Sequence, residues 1–254
     1  RIDQLTLAGQ TFNAVTVNAA RYAEGLRVEL DSAALAGRLT APDQPTPRQP
    51  LNAALQRLYL QRTADGASSV PSDPCQWPPL VFTVADLRAN DRELGRLRLV
   101  AMPDAEGVRL SSIELSSARQ RIEASGAWRW SGSRQTSQIK ATLHSPALGE
   151  TLADFGYPNA GVTRGETQAE LDTEWSGALP DFALERLAGD LQFQVGPGQL
   201  LEINPGLGRL IGLFSVQNLS RRLSLDFSDL FQPGASFDRI TGNVTFNRGQ
   251  ARLD

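Results

Sequence analysis

The sequence predicts a mainly β protein built around one extended antiparallel sheet, and two observations support this fold class. Apolar side chains recur at alternate positions through most of the chain, a pattern typical of strands with one apolar and one polar face. Only two segments carry the punctuation of helices. The apolar face of such a sheet needs a cover, which a second sheet, a few helices or a bound apolar ligand can each provide.

Composition excludes several classes of protein. The 254 residues carry a net charge of −3 with the basic residues scattered, which argues against a nucleic-acid partner. No run approaches the roughly 20 apolar residues of a membrane-spanning helix. Cys75 is the single cysteine, so an internal disulfide is excluded. Arg1 opens directly into a strand pattern without a signal peptide, and we therefore expect the chain to be part of a longer protein.

The N-terminal half contains an internal repeat. Residues 5–19 can be aligned with residues 87–101, at an offset of 82 residues, and both read as a strand, a tight turn and a returning strand. A further hairpin follows each copy, at residues 25–37 and 107–126. Small meanders of this kind cannot bury an apolar face alone, so we expect them to join into one sheet.

Two proline-rich stretches interrupt the alternation. Residues 41–50 and 63–79 each contain four prolines, which lack the amide donor that a central strand needs. We interpret both as exposed loops and the second as mobile. The expected organisation is a β-hairpin unit at 1–62, a Pro/Ser-rich loop at 63–79 and a C-terminal β unit at 80–254.

Two short helices are predicted, near residues 146–155 and 205–218. For the first, Ser145 is the expected N-cap, Pro146 the first helical residue and Gly156 the stop signal. The second opens at Asn204-Pro205, and we expect both helices to lie across the open end of the sheet. The apolar stripe of the second helix consists of Leu207, Leu210, Ile211 and Phe214.

Candidates for enzyme chemistry are weak. His144 is the single histidine and lies at a strand end, and Cys75 has no histidine near it in sequence. Gly206-Leu207-Gly208 matches only part of a phosphate-binding loop. We therefore expect no enzyme activity, no catalytic residues, no metal site and no cofactor. The aspartates that could suggest a carboxylate cluster fit better as strand or turn residues: Asp226, Asp229 and Asp238.

Three tryptophans lie at the ends of apolar strand faces. Trp128 and Trp130 share one strand face, and Trp175 ends another strand. Each ring either plugs the core or sits where an apolar ligand or a membrane meets water, since indole is amphipathic.

The C-terminal half resembles a known family. Residues 198–215, with the run Asn204-Pro205-Gly206-Leu207-Gly208, together with residues 221–231 and 237–242, are similar to the C-terminal part of the YhdP proteins. Residues 148–158 resemble the short helix of that family, and the first hundred residues match only as generic hairpins. The YhdP proteins are AsmA-like, bridge-like lipid transfer proteins of the Gram-negative envelope.

The resemblance implies a fold, a function and a location. The sheet is expected to curl into an AsmA-like, taco-shaped β-groove whose apolar inside shields the acyl chains of phospholipids between the inner and the outer membrane. The protein would lie in the periplasm, tethered to the inner membrane by an N-terminal helix absent from this chain, and an outer-membrane protein is a further expected partner. The alternative is a ligand-free β-sandwich that serves as a scaffold or assembly module.

Two sets of site residues follow from these expectations. The apolar stripe of the second helix, Leu207, Leu210, Ile211 and Phe214, is expected to act as a gate or a membrane-facing surface. The residues expected to line one concave, lipid-binding face are Leu97, Leu99, Ile139, Leu143, Leu191, Phe193, Leu223 and Leu225.

Overall fold

The computed structural model describes residues 1–7, 10–61, 73–90, 92–132, 134–157, 161–183, 186–200 and 236–254. The first ten strands are β1 Ile2–Leu7, β2 Gln10–Tyr22, β3 Gly25–Asp31, β4 Leu35–Pro42, β5 Leu51–Leu60, β6 Leu80–Ala89, β7 Arg92–Asp104, β8 Gly107–Ser116, β9 Arg121–Ser131 and β10 Arg134–Ser145. The remaining strands are β11 Val162–Arg164, β12 Thr167–Ser176, β13 Ala188–Val195, β14 Gly198–Leu200, β15 Ser236–Phe237, β16 Ile240–Asn247 and β17 Gln250–Leu253. The described helices are α1 Leu148–Asp154 and two 3-10 turns, Pro74–Gln76 and Leu179–Asp181.

The strands form two sheets. Fourteen of them follow the order β1 to β10, then β12, β13, β16 and β17, while β11, β14 and β15 form a second, three-stranded sheet. Most neighbours are antiparallel, as the pairs β1–β2, β7–β8 and β12–β13 show. The predicted mainly β class is therefore confirmed. The pair β5–β6 is parallel, and strand alternation alone gave no sign of it.

The chain divides into two compact units. Unit 1 comprises Arg1–Ala118, Glu123–Ser137 and Gly177–Asp181, and unit 2 comprises Arg119–Ile122, Gln138–Ser176 and Phe182–Asp254. The division expected from sequence, at 1–62, 63–79 and 80–254, stays a prediction.

Unit 1 keeps the period of the sequence repeat. Strands β2 and β7 have thirteen residues each, and β3 and β8 begin at Gly25 and Gly107, the same offset as in the sequence. Side chains from both copies enter one core cluster, so the repeats complete each other's packing. The buried members of that cluster are Phe12, Val15, Leu30, Leu35, Leu55, Val84 and Leu87.

Residues 73–79 of the second proline-rich stretch belong to unit 1 and pack in part into its interior, which corrects the expectation of an exposed loop there. The Asp73 carboxylate accepts a hydrogen bond from the Cys75 amide at 2.9 Å and begins a 3-10 turn. Pro74 is fully buried, and the Trp77 ring meets Trp128 edge to face at 5.7 Å between centroids. Trp128 is 1% exposed, so it plugs the core.

The first predicted helix is confirmed, but its start is not where the sequence pattern placed it. Ser145 is the last residue of β10 and Ala147 takes the N-cap position. The Ser145 hydroxyl instead accepts a hydrogen bond from the Ala147 amide at 3.1 Å and turns the chain into the helix. Gly156, with φ of 106°, ends the helix as predicted. The amides of Gly156 and Tyr157 reach back to the carbonyls of Ala153 and Leu152 in a Schellman motif. The second predicted helix, at 205–218, lies outside the described residues.

Candidate functional site

Unit 2 carries a band of apolar side chains across the middle of four strands. Along β10, β12 and β13 every second residue in this band is apolar and half-buried, and the residues between them are exposed. We call this set the apolar band. Its members are Ile139, Ala141, Leu143, Ala169, Leu171, Leu191, Phe193, Val244 and Phe246.

Strand register places the band on one face of the sheet. Leu171 pairs with Leu191, which in turn pairs with Val244. Directly opposed residues of antiparallel strands project to the same side, so these three side chains are neighbours. Phe193 lies in the adjacent row, between Ala169 on one side and Gly242 on the other.

The opposite face of the sheet is polar. Contacts on that polar face show that β10 has the same orientation as β12, with its alternate residues on the apolar side. Lys140 forms an ion pair with Asp172 at 2.8 Å, and that interaction lowers the pKa of the Asp172 carboxyl. Asp172 lies opposite Asp190, which accepts a hydrogen bond from the Thr245 hydroxyl at 2.8 Å. Because Lys140 and Asp172 share the polar face, the alternate residues of β10 belong with the apolar band.

Burial changes along the strands. Near their centre, Leu171, Leu191 and Phe193 are only half-buried, although Val244 beside Leu191 is 2% exposed. At one end of the strands Val195 is 5% exposed, and at the other Trp175 is 4% exposed. A closed, dry core is normally packed without such exposure at its centre. The band can therefore still bury apolar area, and each methylene placed on it would gain about 0.8 kcal/mol.

One end of the band is closed by α1, held by buried hydroxyl groups. The Thr151 hydroxyl donates to the Arg119 carbonyl at 2.8 Å and lies 2.8 Å from the Ser145 hydroxyl. The Arg119 guanidinium meets Asp154 at 2.6 Å at the far end of the helix. The Leu148 amide donates to the Gly165 carbonyl, which ties the helix to the strand bend.

The other end is closed by aromatic and aliphatic packing. The Phe182 ring lies edge to face against Trp175, at 5.4 Å between centroids. Leu187, which directly precedes β13, is 2% exposed. Phe182 itself is 53% exposed. Trp175 is thus a plug of this end rather than a residue at a water boundary.

The described groups with reactive side chains do not converge on a catalytic arrangement. His144 is exposed on the polar face of β10. Desolvation and the nearby Asp73 raise the pKa of the Cys75 thiol, which disfavours the nucleophilic thiolate. Within the described ranges, no group of three or more metal-binding side chains is found. A cavity of about 330 Å³ at the bend between the two sheets is lined by Glu166, Gln168, Gln194, Gly196, Pro197, Asp238 and Arg239.

The structure places six of the eight residues predicted to bind lipid. Ile139, Leu143, Leu191 and Phe193 all lie in the apolar band of unit 2. Leu97 and Leu99 lie on β7 of unit 1, where both are half-buried and Leu97 packs against the core cluster. Their sharing of one face with the unit 2 residues stays a prediction. The other predicted site residues lie outside the described residues: Leu223, Leu225, Leu207, Leu210, Ile211 and Phe214.

Sequence reasoning left several band residues out of the predicted site. Leu171, Val244 and Phe246 show the same alternation as the chosen residues, so the signal was present in the sequence. Gly242 has no side chain and gave no such signal. Only the register, which sets it opposite Phe193, brings it into the site.

Comparison with known proteins identifies the family. In the part of the chain that the structure describes, no helix is both long and apolar enough to cross a membrane. No solved structure matches the chain. The chain is 25% identical, over 272 aligned residues, to the Escherichia coli K-12 protein named "Intermembrane phospholipid transporter YhdP". That alignment covers the whole chain and 21% of the relative, so the chain spans about a fifth of the relative's length. The profile of the YhdP protein family matches residues 1–254, and the chain therefore belongs to the YhdP family.

Proposed function

We propose that this chain is the C-terminal portion of a periplasmic phospholipid transport protein and shields acyl chains along its apolar face. The half-buried apolar band of unit 2 is the observation that carries this proposal. In its central rows the band offers apolar surface, the hydroxyl groups on the same face lie toward the strand ends, and the charged groups lie on the opposite face. This arrangement suits a hydrocarbon chain better than a polar substrate. The name of the E. coli relative, an intermembrane phospholipid transporter, supports phospholipid as the ligand.

The proposal includes the location of the protein in the periplasm and its contacts with the two membranes. Movement of phospholipid between the inner and the outer membrane requires a path across the periplasm on which acyl chains avoid water. A longer protein anchored in the inner membrane and meeting a partner at the outer membrane would provide that path. Transfer of this kind needs binding surface and no catalytic groups, so we do not propose an enzyme activity.

A paired set of charge substitutions tests the function. Phe193→Asp places a carboxylate on the apolar band, whereas Gln192→Asp places one on the exposed polar face of the same strand. Leu99→Asp and Arg98→Asp form the equivalent pair in unit 1. We expect the first member of each pair to abolish phospholipid transfer by the full-length protein and the second to leave it unchanged, because a charge facing an acyl chain costs several kcal/mol.

Native mass spectrometry of the purified chain, incubated with phospholipid vesicles, provides the direct binding measurement, and circular dichroism checks that each variant folds. A folded Phe193→Asp protein that binds and transfers lipid at the original rate would contradict the proposal. A wild-type chain that carries no lipid would favour the alternative, a ligand-free scaffold.

A further inference from the structure

Phe193 is one of the two phenylalanines of the apolar band and is flanked by small residues on both sides. Its cross-strand partners are Ala169 on β12 and Gly242 on β16. A methyl group added at Gly242 would lie 2.7 Å from Cζ of Phe193 and 3.0 Å from Cε1. The same methyl would lie 3.1 Å from Cδ1 of Leu253 on the last strand. The ring therefore rests in the space that the missing side chain leaves.

This placement determines how far the ring stands above the sheet. Carbon atoms that are not bonded to each other stay about 3.5 to 4 Å apart, so any Cβ at Gly242 would force the ring away from the strand. Phe193 is half-buried, so the ring has room to move away from the strand on the exposed side of the band. A raised ring would occupy space in which a ligand on the band would lie.

We propose that Gly242 is a specificity-determining residue: it forms a recess that keeps the Phe193 ring low, and the depth so gained admits bent, unsaturated acyl chains. The inference rests on the proposed function and specifies which acyl chains the proposed phospholipid ligand can carry. A cis double bond widens the path of an acyl chain, whereas a saturated chain lies flat. Loss of the recess should therefore exclude unsaturated chains before saturated ones.

The experiment uses the 254-residue chain with vesicles that contain equal amounts of dipalmitoyl and dioleoyl phosphatidylethanolamine. Native mass spectrometry gives the amount of each lipid bound. Gly242→Ala should reduce bound dioleoyl lipid about tenfold relative to dipalmitoyl lipid. The free energy that an added methyl group costs in occupied space is typically as large as the change in binding free energy that a tenfold loss of affinity requires. The matched control is Gly196→Ala in the same unit, where the nearest atom to an added Cβ is 3.4 Å away.

A double variant separates the recess from general damage to the sheet. In Phe193→Leu with Gly242→Ala, the shorter side chain no longer collides with the added methyl, so binding of the dioleoyl lipid should return. Phe193→Leu alone should leave the recess empty and increase the dioleoyl share, which keeps the test decisive if Gly242→Ala does not fold.

The outcomes distinguish the two proposals. A wild-type chain that binds neither lipid contradicts the proposed function itself. A wild-type chain that binds both lipids, with variants that keep the original ratio, contradicts the recess alone. A purely structural contact between ring and glycine would change the unfolding temperature but would leave the ratio of the two bound lipids unchanged.

Discussion

At the scale of single residues, a polar cluster links the parallel strands β5 and β6. The Tyr59 hydroxyl donates to the Asp86 carboxylate at 2.6 Å, and the Arg88 guanidinium donates to the same group at 3.1 Å. Arg88 also lies over the Tyr59 ring, 4.8 Å from its centroid. Tyr59 and Arg88 are paired across β5 and β6, so the cluster fixes the register of these strands.

The pKa values of the two acidic groups in this cluster, Asp86 and Tyr59, are shifted in opposite directions. Partial burial raises the pKa of Asp86, but the bonds from Tyr59 and Arg88 outweigh it and leave the pKa below its ordinary value. The hydrogen bond to Asp86 raises the pKa of Tyr59. Asp86 therefore stabilises the fold above its unfolded pKa of about 4, and this contribution is lost as the pH falls through the folded value. The contribution of Tyr59 is present below about pH 10 and is lost as the pH rises through its raised pKa.

Asp86→Asn tests this cluster. We expect the variant to have a lower free energy of unfolding than the wild type at pH 7, with the difference shrinking below about pH 4, where the wild-type carboxyl becomes protonated. Urea unfolding at a series of pH values measures it. For Tyr59→Phe, the difference should shrink on both the acid and the alkaline side. A difference that stays constant from pH 3 to pH 7 would show that the cluster does not stabilise the fold through ionised Asp86.

At the scale of elements, α1 depends on the close approach of its first turn to strand β11. An added methyl at Gly149 would collide with the Val162 carbonyl oxygen. Alanine normally favours a helix over glycine by about 1 kcal/mol. Here the collision should reverse that preference, and we expect Gly149→Ala to destabilise the protein by about 1–3 kcal/mol. Thermal unfolding measures the change, and Gly196→Ala is the control without a collision. A more stable Gly149→Ala protein would mean that α1 can shift away from β11.

The buried hydroxyl groups that hold α1 provide a second test of this element. Thr151→Val keeps the shape of the side chain but removes the donor to the Arg119 carbonyl and the partner of Ser145. A buried polar group that loses its partner costs about 1–3 kcal/mol, and we expect that loss of unfolding free energy. Thr241→Val, at an exposed position of β16, should change it by less than about 0.5 kcal/mol. Equal effects of the two substitutions would contradict this assignment of the helix anchor.

The start of α1 also shows that a local sequence pattern can predict the wrong helix boundary. Ser145-Pro146 has the form of a cap followed by a first-turn proline, yet the helix begins at Leu148. The Ser145 hydroxyl bonds to both the Ala147 amide and Thr151, because burial at the end of β10 gives it partners that an exposed cap lacks. Gly156 was predicted correctly, since glycine adopts a positive φ without steric strain and its place after the apolar stripe can be read from the sequence.

At the scale of the whole molecule, alternation predicted which residues face which way but not which strands are neighbours. Period-two patterns indicated the strands and the band side chains Ile139, Leu191 and Phe193, because the pleat alone determines them. The pairing of β13 with β16 and the parallel β5–β6 pair depend on contacts distant in sequence, for which a strand's own pattern contains no signal. The recess at Gly242 is visible only after that pairing is known.

The two units differ in how completely their apolar faces are covered, and amide hydrogen exchange should report it. The buried core cluster of unit 1 should make strands β4 to β6 the slowest to exchange, because opening them exposes the most apolar surface. The half-buried band of unit 2 should make β12, β13 and β16 exchange faster in the absence of ligand. Phospholipid vesicles should then slow exchange in peptides from residues 167–195 and 240–247, since a ligand that binds only the folded state suppresses local opening. Exchange mass spectrometry with lipid-free buffer as the control measures both effects. Protection confined to unit 1, under conditions in which lipid is bound, would show that the apolar band of unit 2 is not the surface that holds the acyl chains.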